Sequence, residues 1–270
     1  MNILDEIFTH KRSELAQQKK ALPPEDLRRA AEAAPAPADF IQALRKAHAD
    51  AGQPALIAEV KFASPSRGVL VQHPDPTGLA EQYARAGAAA ISVLTEEKYF
   101  HGRLQYLQEI HRGFPSMPLL RKDFLCDPYQ LYEARTAGAS AVLLIAGYLD
   151  PALLADLHGL AGELELAALV EVHDRAELET ALKVRGLALV GANNRDLRTF
   201  QVNLQTCLDL RALVPESVCF VAESGIHDRE DVRRLADAGV EAMLVGESLV
   251  TATNIPQAIC SLTGKATPCT

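Results

Sequence analysis

The amino-acid sequence predicts an α/β fold, a (β/α)8 TIM barrel that follows an N-terminal helical extension. Three observations lead to this prediction: from residue 55 onwards short apolar runs alternate with helical segments, there are eight such units, and the runs are apolar on both faces. Strands of this kind form parallel sheets covered by helices, and eight units fit a closed barrel. An open doubly wound sheet is the alternative. No Gly-x-Gly-x-x-Gly follows the first run, which argues against the dinucleotide-binding form of that alternative.

Residues 1–51 form the predicted extension, because they contain helical patterns and no strand pattern. Leu4 and Phe8 repeat on one side of a first helix, and Pro23-Pro24-Glu25-Asp26 is typical of the start of a second. Asp39 is placed to cap a third helix. A segment of helices without a core of its own must pack on the barrel, so we expect the whole chain of 270 residues to be one domain.

The eight predicted strands are the short apolar runs, at Ala55–Val60, Ala89–Leu94, Pro118–Leu120, Ala141–Ile145, Ala167–Val172, Ala188–Gly191, Cys219–Ala222 and Ala242–Val245. The predicted helices between and after them are Pro76–Ala86, Leu104–Arg112, Pro128–Ala137, Asp150–Leu160, Asp174–Val184, Leu204–Leu213, Asp228–Ala238 and Ile255–Leu262. Asp or Pro begins several of these helices, and Gly follows several of them, as helix termini prefer.

Composition narrows the class of protein. The net charge of -8 argues against a general nucleic-acid binder. No apolar run approaches the roughly 20 residues that span a bilayer, and the acidic, amphipathic N-terminus is unlike a signal peptide. The five cysteines have neither disulfide-framework nor zinc spacing. This cysteine pattern predicts free thiols in a reducing cytoplasm. The eight histidines are scattered, so we expect no metal site.

Polar and ionisable residues follow six of the eight strands, at the ends where a barrel of this kind carries its active site. They are Glu59 and Lys61, Arg121-Lys122-Asp123-Phe124, Glu171, Asn193-Asn194-Arg195-Asp196, Glu223-Ser224-Gly225 and Gly246-Glu247-Ser248. Any one of them is explained by a solvated strand end, and Glu59 with Lys61 by a surface ion pair. Their convergence from six strands on one rim indicates an active site.

The last two strands end in glycine-containing turns, Ser224-Gly225 and Val245-Gly246. Glycine lets backbone N–H groups approach an anion closely, and we expect a short helix to begin at Glu247. Barrels of this type usually bind phosphate after these two strands. The alternative is that both glycines only make tight turns.

The rest of the rim offers two lysines and three glutamates, which suit acid–base chemistry on a phosphorylated substrate. Lys61 and Lys122 can neutralise an anionic substrate or donate protons, Glu171 can accept one, and Asn193 adds a neutral donor. Carboxylates beside the lysines favour the charged ammonium, which is a poor nucleophile for a Schiff base.

Seven stretches of the chain resemble the indole-3-glycerol phosphate synthase family. They are Glu59-Val60-Lys61 with Ser64-Pro65-Ser66, Leu94–Phe100, Leu120–Phe124, Leu169–His173, Gly191–Leu197, Ala222–Ile226 and Leu244–Leu249. The resemblance runs from the N-terminal helices to about residue 262. It implies a carbon–carbon lyase of tryptophan biosynthesis. The expected reaction converts 1-(2-carboxyphenylamino)-1-deoxyribulose 5-phosphate into indole-3-glycerol phosphate, carbon dioxide and water, without a cofactor.

The resemblance also implies roles for residues at matching positions. Lys122 is expected to be the general acid of ring closure, Glu171 the base of dehydration, and Lys61 the group that binds the substrate carboxylate. It leaves open which lysine donates which proton. The supporting catalytic positions are Glu59, Asn193 and Glu223, and the implied substrate-binding positions are Ser64, Phe100, Phe124, Arg195, Ser224, Gly225, Gly246 and Glu247. Core packing would explain the two phenylalanines nearly as well.

Departures from the family pattern occur at Phe62, Arg67, Arg103 and Ala192, and none is a proposed proton-transfer group. Two other functions stay open on the residues alone. One is a different phosphate-binding barrel enzyme, such as a sugar-phosphate isomerase or a Schiff-base aldolase. The other is a barrel that binds a phosphorylated ligand without catalysis. We expect a small phosphorylated substrate, no nucleic-acid or membrane partner, and a monomer.

Overall fold

The computed structural model describes residues 3–196 and 201–264. Leu197 of the predicted motifs and Cys269 lie outside these residues. Eight parallel strands form a closed barrel in which each strand pairs with its neighbours along the chain and the last pairs with the first. They are β1 (Ala55–Val60), β2 (Ala90–Leu94), β3 (Leu119–Lys122), β4 (Ala141–Ile145), β5 (Ala167–Val172), β6 (Leu189–Asn193), β7 (Cys219–Glu223) and β8 (Ala242–Val245). The predicted barrel is confirmed and the open-sheet alternative is wrong.

Helices cover the outside of the barrel and one helix follows every strand. The described residues contain α1 (Ile3–Ala21), α2 (Pro24–Glu32), α3 (Phe40–Ala51), α4 (Pro76–Arg85), α5 (Leu104–Gly113), α6 (Pro128–Thr136), α7 (Pro151–Glu163), α8 (Arg175–Ala181), α9 (Gln205–Arg211), α10 (Arg229–Asp237), α11 (Glu247–Val250) and α12 (Ile255–Thr263). Asp39 caps α3 as predicted, since its Oδ1 accepts the Gln42 N–H at 2.9 Å. The short helix at Glu247 is also present.

The predicted bounds of β2, β3, β6 and β7 differ from the structure by one or two residues at one or both ends. Backbone pairing explains the largest of these differences and one further departure. The third strand was expected to end at Leu120, but it continues through Arg121 and Lys122, which pair with the end of β2. The segment after β1 was expected to be a loop. It contains instead a small antiparallel hairpin, in which Ala63–Ser64 pairs with Gly68–Val69 across a turn. The apolar-run criterion misses both, since backbone pairing rather than side-chain hydrophobicity defines them.

Apolar residues form two layers on the two sides of the sheet. The larger core lies between the strands and the outer helices and contains, for example, Val142, Leu144 and Leu157. A second core fills the barrel interior with the opposite set of strand residues, such as Leu143 and Leu169. The period-two alternation of side chains across a strand therefore sorts each strand into an inner and an outer face.

The N-terminal extension closes the barrel at both ends. α1 covers the carboxyl ends of the strands, where Lys11 forms an ion pair with Asp123 just after β3. α3 lies at the opposite end, where Arg45 donates to the carbonyl of Ser217 before β7. The extension therefore packs on the barrel at two places, with α1 over the carboxyl ends of the strands and the apolar face of α3 against their amino ends.

Candidate active site

The inner faces of five strands, β1, β3, β5, β6 and β7, end in one of the polar side chains that the sequence singles out. In β3 the inner residue Leu120 is followed two positions later by Lys122, and in β5 Leu169 is followed by Glu171. Arg121 lies between Leu120 and Lys122 in the chain, so its side chain points to the outer face of the barrel. There it donates to the Gln130 carbonyl at 2.9 Å. The alternation that fills the core therefore also aims the catalytic candidates into the barrel.

These side chains line one cavity of about 400 Å³ at the carboxyl ends of the strands. Every residue predicted for the site lies in its wall, namely Glu59, Lys61, Ser64, Phe100, Lys122, Phe124, Glu171, Asn193, Arg195, Glu223, Ser224, Gly225, Gly246 and Glu247. The structure thus brings together what the sequence spreads over almost two hundred positions. Their individual roles stay predictions.

Lys122 lies between two buried carboxylates. Its Nζ is 2.7 Å from Glu171 Oε2 and 2.7 Å from Glu223 Oε2. Burial lowers the pKa of Lys122, but the charges of Glu171 and Glu223 outweigh it, so that the pKa is raised well above 10.5. The group therefore stays a charged hydrogen-bond donor, as acid catalysis requires and Schiff-base chemistry does not.

The two carboxylates share this single ammonium and titrate differently. Burial raises the pKa of Glu171, but Lys122 and His173 outweigh burial and lower its pKa to about 2. Burial and the charge of Glu171 together raise the pKa of Glu223 to about 8, against the opposing charge of Lys122. The shared ammonium and their mutual repulsion thus move the two pKa values apart, with Glu171 the more acidic of the pair.

Lys61 forms the second ion pair of the cavity, with its Nζ 2.8 Å from Glu59 Oε2. Two interior glycines leave room for the carboxylates. A Cβ on Gly246 would lie 2.3 Å from Glu59 Oε2, and a Cβ on Gly191 would lie 2.2 Å from Glu223 Oε1. Gly246 therefore serves the acid–base group as well as the turn after β8, a role that the sequence did not indicate.

The turn after β7 has an unusual backbone. Ser224 and Gly225 both have positive φ, 67° and 74°, which is uncommon for serine. Asn194 is buried beside them: its Nδ2 donates to the Ser224 carbonyl at 3.0 Å, and its Oδ1 accepts the Cys207 N–H at 3.0 Å. The neighbouring Asn193 accepts the Arg195 N–H at 3.0 Å. The bond from Asn194 to Ser224 thus ties this turn, whose residues line the cavity, to the end of β6.

The opposite wall of the cavity is apolar. It consists of Ile3, Leu4, Ile7, Phe100, Phe124, Leu143 and Ile145, from α1, β4 and the loops after β2 and β3. Phe124 packs against Phe100 and Phe8, with ring centroids 5.9 and 5.6 Å apart. The two phenylalanines thus line the cavity and also pack in the core, and their contact with substrate stays a prediction.

Asp123 anchors this wall from behind. It accepts the Phe124 N–H at 2.8 Å and the Thr95 hydroxyl at 2.7 Å, and it pairs with Lys11 of α1 at 3.1 Å. Burial raises the pKa of Asp123, but the charges of Lys11 and Arg121 outweigh it and lower the pKa below 3.8. The buried carboxylate of Asp123 thus links α1 to the end of β3, directly after Lys122.

At the mouth, Arg67 of the hairpin turn pairs with Glu247, with Nε and Oε1 2.8 Å apart. Ser64, in the first strand of the hairpin, has its hydroxyl 3.5 Å from that of Ser66. The ion pair with Arg67 thus neutralises the Glu247 carboxylate next to the glycine-containing turns. Arg67 had been noted only as a departure from the family pattern.

Sequence reasoning missed the contributions of α1, β4 and His227, which also line the cavity. The apolar residues among them carry no signal that separates a cavity wall from ordinary core. Within residues 3–196 and 201–264, no group of three or more His, Cys, Asp or Glu residues is arranged to hold a metal ion. Over the same residues, no helix is both long and apolar enough to cross a membrane.

Comparison with known proteins identifies relatives over almost the whole chain. A family profile described as "Indole-3-glycerol phosphate synthase" matches residues 4–262. A protein of that name from Roseiflexus castenholzii is 48% identical over 270 residues, which cover 97% of this chain and 98% of the relative. Another from Chloroherpeton thalassium is 48% identical over 255 residues, covering 93% and 95%.

Solved structures that resemble the chain at low identity support the fold alone. A 3-hexulose-6-phosphate synthase superposes with a TM-score of 0.63 at 17% identity, covering 78% of this chain and 98% of that one. The enzyme of the same name from Salmonella typhimurium gives a TM-score of 0.64 at 12% identity, covering 78% and 97%. The shared region matches the length of a barrel without the N-terminal extension.

Proposed function

Because the chain belongs to the indole-3-glycerol phosphate synthase family, we propose that the cavity at the carboxyl ends of its strands is the site of that family's reaction. The chain is a carboxy-lyase of tryptophan biosynthesis. It converts 1-(2-carboxyphenylamino)-1-deoxyribulose 5-phosphate into indole-3-glycerol phosphate, with release of carbon dioxide and water. The lyase assignment takes precedence over the isomerase, aldolase and non-catalytic alternatives.

One observation carries the placement of the substrate: the cavity is apolar on one side, ionic in the middle and lined by turn backbone on the other side. The anthranilate ring fits the side of Phe100 and Phe124. The phosphate fits the backbone N–H groups around Ser224, Gly225 and Gly246. This order sets the ketone carbon and the attacking ring carbon beside the lysines. Ser64, Arg195 and Glu247 are the further contacts that we propose at the mouth.

Lys122 is the proposed acid of ring closure. As the aromatic carbon attacks the ketone, negative charge develops on the ketone oxygen, and the ammonium donates its proton there. Glu171 and Glu223 hold the ammonium charged and fix its position before substrate arrives. A fixed donor stabilises charge in the transition state without reorganisation.

Lys61 is the proposed partner of the substrate carboxylate. Once the ring has closed, the bond from ring carbon to carboxylate breaks, carbon dioxide leaves, and the bonding electrons restore the aromatic ring. Glu59 orients Lys61 through an ion pair of 2.8 Å. Lys61 is also the candidate for the second acid, which protonates the hydroxyl that departs as water.

Glu171 is the proposed base of dehydration. It removes the ring C–H proton while the hydroxyl leaves, and the C–H electrons form the new double bond. Its carboxylate is fully buried and charged at neutral pH, because the charge of Lys122 lowers its pKa. Asn193 and Glu223 complete the polar wall on this side.

We further propose a cytoplasmic monomer that works without a cofactor or a nucleic-acid partner. The net charge of -8 and the wide spacing of the cysteines support this proposal. Four cysteines among the described residues, Cys126, Cys207, Cys219 and Cys260, are free thiols. Sedimentation at micromolar concentration and turnover measured with and without a chelator test the two parts.

The assignment of Glu171 is tested with Glu171→Gln, which keeps the size and one acceptor but removes the base. In a single turnover we expect labelled carbon dioxide to appear at a near-normal rate while indole fluorescence lags behind. Quench-flow measures the first signal and stopped-flow fluorescence the second. The intermediate that accumulates is the decarboxylated, hydroxylated ring.

The matched control is Glu163→Gln, which makes the same change on the exposed end of α7 and should leave both signals unchanged. Circular dichroism of each variant excludes unfolding. If carbon dioxide and indole fall together in folded Glu171→Gln, Glu171 is not the base of dehydration.

A further inference from the structure

His173 lies between two carboxylates at the end of β5. It follows Glu171 by two positions, so both side chains leave the backbone on the same side. Its Nδ1 is 3.1 Å from Glu177 Oε2, and its Nε2 is 3.5 Å from Glu171 Oε1. The imidazole is thus the group that joins the proposed base to a second acidic side chain.

Glu177 is fixed on the far side of the ring. Its Oε2 also accepts the backbone N–H of His173 at 2.8 Å. Its other oxygen lies against Gly147, where a Cβ would come within 2.2 Å of Oε1. A carboxylate held in this way accepts a hydrogen bond from Nδ1, and this assigns the proton of the neutral ring to Nδ1. The lone pair of Nε2 then faces Glu171.

Nε2 itself is buried and has no hydrogen-bond partner within residues 3–196 and 201–264. A histidine that only fills space in a structure usually has both nitrogens satisfied. Here one nitrogen is held by a carboxylate, and the other is directed at the proposed base, at a distance that a small movement of either group would shorten to a hydrogen bond. The arrangement is that of a base supported by a carboxylate.

His173 also separates two cavities. Glu171 lines the catalytic cavity, whereas His173 and Glu177 line a second one of about 540 Å³ beside it. Leu4 and Asn193 are the residues common to both walls among the described part of the chain. A proton that leaves Glu171 through the ring therefore reaches a compartment other than the one that the substrate fills.

We infer that His173 is a positioning residue that accepts, at Nε2, the proton which Glu171 removes from the substrate, and releases it to water in the second cavity. The inference rests on the proposed role of Glu171 as the base. Glu171 gains the proton when the ring C–H bond breaks, the Glu171 O–H bond then breaks as an Nε2–H bond forms, and water takes the proton from the imidazolium. Glu171 returns to the carboxylate, and no oxidant or other reactant is needed.

A carboxylate with a low pKa needs such an acceptor. Glu171 is held ionised by Lys122, so that its protonated form is a strong acid in this site. It can hold the substrate proton only briefly before the proton returns to carbon. A neighbouring imidazole of higher proton affinity prevents the return of the proton to the substrate carbon, because transfer from the Glu171 carboxyl to the imidazole is thermodynamically favourable.

Charged groups face the ring from several elements. They are Glu171 from β5, Glu177 from α8 and Glu223 from β7, and the second cavity adds Asp5, Asp174 and Asp196. Burial lowers the pKa of His173, but the hydrogen bond to Glu177 and the charge of Glu171 outweigh it, so the pKa lies above 6.5. Since only the neutral ring can accept the proton, dehydration should slow as the pH falls below this pKa.

The test uses two variants at the same position. His173→Gln retains an amide donor of similar reach but cannot carry a proton, and His173→Ala opens space next to the second cavity. We expect both to slow dehydration in a single turnover by roughly a hundredfold, the lower end of the range of acid–base effects. Carbon dioxide release should stay near normal. The acid limb of the dehydration rate should disappear, and added imidazole should restore the rate of His173→Ala but not of His173→Gln.

Two further variants sharpen the result. Glu177→Gln removes the supporting carboxylate and should move the acid limb to lower pH without abolishing it. His158→Ala replaces a half-buried histidine on α7 that touches neither cavity and should leave the profile unchanged.

An unchanged pH profile in folded His173→Gln overturns the relay. So does equal slowing of carbon dioxide and indole in both variants without rescue by imidazole, since that is the signature of a structural role. The two proposals fail separately. If Glu171→Gln still dehydrates normally, the assignment of Glu171 as base fails. If Glu171→Gln blocks dehydration while His173→Ala does not slow it, only the relay fails.

Discussion

Lys122→Met removes the one ammonium that two buried carboxylates share, and it keeps the length of the side chain. Glu171 and Glu223 both lie 2.7 Å from Nζ, and each side chain is 2% exposed. The substitution therefore acts on the chemistry and on the electrostatics of the fold at the same time. The two effects can be measured separately.

For the chemistry, Lys122 is the proposed acid of the first step. Loss of a general acid costs about 10²- to 10⁴-fold in rate, which corresponds to about 3–5 kcal/mol of barrier. Because decarboxylation follows ring closure, carbon dioxide and indole should fall together. This pattern differs from that expected of Glu171→Gln, where carbon dioxide runs ahead.

The substitution should also change how the free energy of unfolding depends on pH, and the direction of that change follows from proton binding. In the parent protein the lowered pKa of Glu171 contributes stability that is present above the unfolded pKa of about 4.3 and lost as pH falls. Without Lys122, burial and the neighbouring Glu223 raise that pKa above its unfolded value, so stability is retained at low pH and lost as pH rises. Because the raised pKa of Glu223 already costs the parent protein stability as pH rises, the diagnostic quantity is the additional loss in the variant. For Glu171 alone this is up to about 1.4 kcal/mol per pH unit, or about 4 kcal/mol between about pH 5 and pH 8.

Thermal and urea unfolding at about pH 5 and pH 8 measure this loss, and steady-state indole fluorescence measures turnover. Lys183→Met, the same replacement at an exposed position after α8, is the matched control. Near-normal turnover would remove Lys122 from the mechanism. A destabilisation independent of pH would show that the two carboxylates do not depend on Lys122 for their charge.

Three further predictions address the surroundings of the site. Gly246→Glu should raise KM strongly, through repulsion of the phosphate, and also lower kcat, because any Cβ there displaces Glu59; unchanged KM and unchanged inhibition by inorganic phosphate would refute the phosphate assignment. Asn194→Ala should weaken inhibition by inorganic phosphate with little change in kcat, since its buried amide holds the turn after β7; an effect on kcat alone would contradict this role. Lys11→Met should destabilise the fold at neutral pH by less than the roughly 3–5 kcal/mol of a buried charge left without a partner, because Arg121 still pairs with Asp123. The loss should be smaller under acid conditions, where Asp123 becomes protonated, as urea unfolding at several pH values would reveal.

Much of the fold was predictable because side chains alternate between the two faces of each strand, and the same alternation decides which residues fill the barrel interior. β1, β4, β5 and β8 begin and end where their apolar runs do. The same alternation placed Lys122 in the interior. The inward direction of a side chain is thus a local property, which a sequence can reveal.

The partners of these side chains are not local. Lys122 meets carboxylates 49 and 101 positions away, and strand order alone does not say which of several inward groups will touch. The apolar wall from α1 and β4 and the space that Gly246 leaves for Glu59 carry no distinguishing residue type. His173 was visible only as part of a motif, because its significance depends on Glu177 and on a second cavity.

The ion pairs also separate the two lysines, which the sequence left equivalent. Lys122 is held by two carboxylates, whereas within residues 3–196 and 201–264 Lys61 has one ion pair, with Glu59. An incoming carboxylate can bind Lys61 through its remaining donors without breaking a pair, but it would have to displace a buried glutamate from Lys122. This geometry favours Lys61 as the anchor of the substrate carboxylate. It leaves Lys122, whose position the substrate charge does not disturb, as the donor to the ketone oxygen.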